Sequence, residues 1–152
     1  MNSELLRLFF EGKLNAKCLF EDFENTITQT SAQCFEHSMI DLSEDYQVSI
    51  DNLILICDAV LSGDLKPEHL VVIGFGMLSS DHFIWDTSTP EGERIANTIY
   101  DWSCPQVNYD LNLETVRKFR HRLLTGESLF SKADIGSKIC MPNLKSRKIK
   151  TC

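Results

Sequence analysis

No apolar run in this sequence approaches the ~20 residues that a helix needs to span a bilayer. The opening residues, MNSELLRLFFEGK, lack the basic segment and small-residue cleavage site of a secretory signal. These two absences predict a cytoplasmic protein without a membrane partner. Cysteine is present at Cys18, Cys34, Cys57, Cys104, Cys140 and Cys152, but no C-x-x-C pair occurs. Reduced thiols are therefore expected, with neither a disulfide framework nor a paired-thiolate zinc site. Phosphate-cradling loops are missing as well: GFG at 74–76 has neither the spacing nor the lysine of such a loop. The sequence carries no internal repeat and implies no cofactor.

Basic side chains are the class in shortest supply over most of the chain. Residues 1–116 hold 20 Asp and Glu against five Lys and Arg, whereas residues 117–152 hold two acids and ten bases, for a net formal charge of −7. A body so poor in cations repels nucleic acid and attracts basic surfaces. What remains is ordinary for a soluble domain: 152 residues, 43% apolar and 24% charged, enough for one self-sufficient core.

The punctuation predicts an all-α fold, a single compact domain of about six helices with short connections. Ser3 is placed to cap a first helix that Gly12 stops. A second runs from about Asn15, with Leu19, Phe23 and Ile27 on one stripe, and continues into TITQTSAQC. DLSEDYQVS reads as a connection. Ser49 or Asp51 caps the apolar helix IDNLILICDAVL, which Gly63 ends. Pro67 then marks the first position of a helix through Val71, Val72 and Ile73, residues that equally suit a buried strand. Gly74 and Gly76 there would permit close contact with the preceding helix. Thr89-Pro90-Glu91 opens a helix carrying Ile95, Ile99 and Trp102 inward. Asn112 opens the last, with Leu113, Val116, Phe119, Leu123 and Leu124 assigned to the core and Gly126 closing it. Its outer face, Arg117, Lys118, Arg120, His121 and Arg122, is basic. Residues 1–130 form the helical domain, and 131–152 a basic C-terminal arm, loosely docked or mobile.

Chemistry concentrates in SSDHFIWDTSTPEGE, residues 79–93. Asp81, His82 and Asp86 could hold a divalent metal that makes a hydrolytic nucleophile. The order of the Asp-His doublet opposes this, and His37, His69 and His121 stand in no ligand spacing. Cys104 is a second enzymatic option, though its acidic neighbours disfavour a thiolate. The basic last helix and lysine-rich tail could touch RNA phosphates, against the charge of the body. The remaining reading is a docking surface: Phe83 and Trp85 as anchors among Asp81, Asp86, Glu91, Glu93, Asp101 and Asp110, with Trp102 as core.

SGDLKPEHLVVIGFGMLSSDHFIWD followed by PEGERIANTIYDWSCPQVNYDLNLETVRKF resembles the small acidic immunity proteins of bacterial contact-dependent growth inhibition and related polymorphic toxin systems. The resemblance covers about residues 50–125. It implies a non-enzymatic inhibitor that binds a basic toxin domain, often a nuclease, and covers its active site or substrate path. Asp41, Glu44 and Asp45 would join residues 81–110 on that surface. The family has no invariant catalytic residue to carry over.

Overall fold

The computed structural model describes residues 1–30 and 40–135. Among them, six helices form one all-α body: α1 Ser3–Phe10, α2 Ala16–Thr30, α3 Ile50–Leu61, α4 His69–Ser79, α5 Pro90–Ser103 and α6 Leu113–Thr125. Two short strands, β1 Tyr46–Gln47 and β2 Phe83–Ile84, lie parallel between them, with Tyr46 opposite Phe83. The segment expected as a plain connection thus contains β1. A two-residue strand carries no periodicity to betray it.

Helix ends follow the local chemistry closely. Ser49 and Asn52 cap α3 reciprocally, and Asn112 and Thr115 do the same for α6. Thr89 accepts the Gly92 amide at 3.0 Å ahead of Pro90, the first residue of α5. Gly12, Gly63 and Gly126 take positive φ after α1, α3 and α6. Two starts differ from the sequence reading. Asn2, not Ser3, caps α1, because its side chain reaches the Glu4 amide at 3.0 Å while Ser3 is buried inside the helix. Pro67 sits in a turn before α4, which begins at His69 with Glu68 already at helical dihedral angles.

The core joins Leu19 and Phe23 of α2, Leu53 and Ile56 of α3, Leu70 and Ile73 of α4, Ile99 and Trp102 of α5, and Phe119 of α6, all fully enclosed. Each such side chain contributes about 1.5–3 kcal/mol of burial. Val71–Ile73 are helical. Gly74 does permit a close approach, but to the following helix α5: a Cβ there would lie 2.6 Å from the Ser103 nitrogen and 2.8 Å from the Ile99 oxygen. Leu113 and Leu124, assigned to the core from sequence, are 45% and 52% exposed, since α6 buries only the stripe through Val116, Phe119 and Leu123.

Residues 131–135 pack on the body. The Asp110 amide donates to the Asp134 carbonyl at 3.0 Å, Lys118 Nζ reaches both Asp134 carboxylate oxygens at 2.7 and 2.8 Å, and the Phe130 ring stacks on Tyr109. The rest of the arm and residues 31–34, over which the second helix is expected to continue, lie outside the described residues.

Candidate functional site

α4 ends at Ser79, and the chain turns through residues 80–82 into β2. That turn is tied to the loop before β1. The Ser80 hydroxyl donates to the Asp41 carboxylate, the Asp81 amide donates to the same group at 3.1 Å, and His82 Nδ1 lies 2.9 Å from Asp45. Burial acts to raise the Asp41 carboxyl, but the Ser80 hydroxyl and the Leu42 and Asp81 amides outweigh it and hold it below its ordinary range. The Asp45 carboxylate raises the His82 imidazole, helped by Asp41 and Asp81. Glu44 and Asp45 also border a polar recess of about 360 Å³ in which Arg7 pairs with Glu4 and Glu11.

Beyond β2 the chain builds an open groove of about 310 Å³. Trp85, Val48, Ile50 and Ile95 give it an apolar lining, and Asp86 and Glu91 also line it. Two hydrogen bonds clamp the turn that carries Trp85 and Asp86. The Asp86 carbonyl accepts the Thr89 amide at 3.2 Å and the Thr89 hydroxyl at 2.8 Å, folding the turn onto the start of α5. Gly92 lies directly beneath, where any Cβ would overlap the Asp86 carbonyl. The Asp86 carboxylate accepts the Ser88 hydroxyl and amide, which keep it ionised by lowering its pKa.

Of the residues singled out in the sequence, the structure brings Trp85, Asp86 and Glu91 together at this groove. Glu93 and Asp81 are exposed but do not line it. Asp110 is exposed in the loop that bonds to Asp134. Two assignments are corrected. Phe83 is only 4% exposed, packed in β2 against Phe10 and Tyr46, so it cannot be a surface anchor. Asp101 is buried and bonded to Arg122 at 2.8 Å. Its burial outweighs the pull of Arg122 and raises its carboxyl above the usual range. Trp102 is core, as expected.

The metal-hydrolase set does not converge. His82 is turned to Asp45 and Asp86 to Ser88. Among the described residues, the ligand-type atoms that cluster within 4.8 Å belong instead to Glu24, Glu68 and His69. His69 is fully buried, and its Nδ1 accepts the Lys66 amide at 3.1 Å, which leaves the ring proton on Nε2, 2.7 Å from Glu24. A metal on Nε2 would force that proton to Nδ1, against the Lys66 N–H. The Lys66 ammonium itself lies 2.9 Å from Glu24 and 3.7 Å from Glu68, supplying the cation these carboxylates face. Glu24 is accordingly held below its ordinary pKa, by Lys66 first and His69 second. The set is a structural node between α2 and α4. Sequence reasoning missed it because its partners are 42 and 45 residues apart. Cys104, the other enzymatic option, is half-buried at the end of α5 with its sulfur 3.6 Å from the Ser103 hydroxyl.

The basic helix is largely committed to the fold. Arg122 pairs with Asp101, Lys118 with Asp134 and Glu114, and Arg120 with Asp58 at 2.6 Å. Arg117 is exposed and has no carboxylate in ion-pair range among the described residues. Along residues 81–93 the balance reverses. Asp81, Asp86 and Glu93 meet no lysine or arginine among the described residues, and Glu91 meets Arg94 at 3.8 Å. No family model, curated protein or solved structure matches this chain.

Proposed function

We propose that the protein is a cytoplasmic, non-enzymatic inhibitor of the immunity type, which binds a basic toxin domain and covers the surface where that domain holds its substrate. One observation carries this reading: among the described residues the acids of 81–93 stay exposed and short of cations, with Asp86 and Glu91 on an apolar groove, while α6 uses its own cations to neutralise acids elsewhere. A nuclease must be positive where it holds phosphate, so an anionic inhibitor matches that surface and is drawn to it quickly. The half-buried Trp85 supplies the kind of aromatic contact that dominates interface energies.

The test is to purify the protein with the product of the reading frame beside its gene. The reading expects a stoichiometric complex and protection of cells from that product's toxicity. It also expects that replacing Asp86, Glu91 and Glu93 by their amides weakens both. Failure to bind, or protection indifferent to those three carboxylates, would refute it.

A further inference from the structure

We infer that the groove at Trp85 is a socket for a single aliphatic or aromatic side chain, carried on a partner segment in which lysine or arginine flanks that side chain. This rests on the proposed reading of a basic partner and specifies what the partner must present.

The lining decides the chemistry. Val48, Ile50, Trp85 and Ile95 come from the ends of both strands, α3 and α5; Val48 and Ile95 are buried, and the half-buried Ile50 and Trp85 leave apolar surface open to solvent. Polar ligands find little there. The two hydroxyls of the lining are already engaged as caps: Ser49 accepts the Asn52 amide at 3.2 Å, and Thr89 accepts the Gly92 amide at 3.0 Å. The starts of α3 and α5 both border the groove, an arrangement that could favour an anion. Here it does not, since those starts carry caps, and Asp86 and Glu91 project negative charge across the same opening. Among the described residues, no lysine or arginine lines the groove. A volume of about 310 Å³ lies at the low end of small-molecule sites, which run from about 300 Å³ upward, and suits a side chain better than an extended ligand.

The side chain would give up its water against Trp85 and Ile50, and a flanking ammonium would meet Asp86 and Glu91. Burial of one such side chain corresponds to about a tenfold or greater gain in affinity. The two contributions separate experimentally because one is apolar and insensitive to salt, the other ionic and screened.

Three blocked pentapeptides serve as probes: Lys-Lys-Phe-Lys-Lys, Lys-Lys-Gly-Lys-Lys and Glu-Glu-Phe-Glu-Glu. Each is titrated at low salt into the full chain labelled with nitrogen-15. The indole signals of Trp85, in the groove, and Trp102, in the core, report separately. The inference expects the first peptide to move the Trp85 indole and Gly92 amide and leave Trp102 still. It expects the glycine peptide to bind about tenfold more weakly or worse, and the acidic peptide not to bind. Equal binding of both lysine peptides, with shifts spread over the acids but not at Trp85, overturns the socket and leaves the basic-partner reading standing. Equal binding of both phenylalanine peptides keeps an apolar pocket but overturns the basic flanks and, with them, that reading. No shift with any peptide overturns the inference. So does sedimentation that shows a dimer built on this face, which would give the groove to a second copy.

Discussion

Two acidic regions of this chain look alike as sequence and behave oppositely in the fold. Around α6, Asp58, Asp101 and Asp134 each receive a cation from that helix and become part of the structure. Around Trp85, Asp86 and Glu93 receive none among the described residues and remain available. Clustered acids therefore do not define a surface by themselves. What separates the two regions is whether another element delivers a guanidinium or ammonium to the carboxylate, a fact of tertiary packing that local composition does not contain.

The comparison breaks most severely if Arg122 is lost. Arg122→Leu leaves Asp101 buried beside Thr98 with no cation, and such broken pairs cost about 3–5 kcal/mol. A urea denaturation midpoint should fall accordingly, and Asp101→Asn added to the same chain should recover part of the loss. Lys118→Met should do less. It releases Asp134, which also accepts the Ser131 amide at 2.7 Å, so the expected change is loosening of residues 131–135 seen as faster amide exchange there. The Asp134 carboxyl is held low, first by Lys118, so its contribution is present above the ordinary carboxylate pKa of about 4 and is lost as pH falls through the depressed value.

Substitutions on the open side sharpen the contrast by doing almost nothing to the fold. Glu93→Gln should leave the denaturation midpoint where it is, because the exposed carboxylate has no ion-pair partner to lose among the described residues. A small effect belongs to the His82–Asp45 tether. Its imidazole is raised in the folded protein, so the stabilisation is complete below the unfolded value of about 6.5 and is lost as pH rises through the folded one. Asp45→Asn should lower the His82 pKa in an NMR titration and remove the small stability difference between neutral and mildly acidic solution.

Local signals carried much of the fold. Thr89-Pro90, Asn112 and Gly126 mark helix ends by groups within three residues of one another, and the structure uses them as written. Trp85 was readable as lying outside the helical core because it stands apart from any helical stripe. Phe83, two residues earlier, has the same local look yet is buried, because β2 pairs with a strand 37 residues away in sequence. Asp101 was obscured in the same manner: only α6 folding across α5 brings Arg122 to it, although Thr98 and Asp101, three apart on α5, mark a polar stripe beside Ile95 and Trp102. Pairing between distant elements, not propensity, decided which of the acids and aromatics face outward.

The central claim is that unneutralised charge at residues 81–93 draws in a positively charged protein. It is tested most directly by the association rate with the neighbouring gene's product, followed by stopped flow as ionic strength rises. The account predicts a rate that drops steeply with salt for the wild type, and a slower, flatter dependence when Asp86, Glu91 and Glu93 become amides. Identical salt dependence in the two proteins would contradict it.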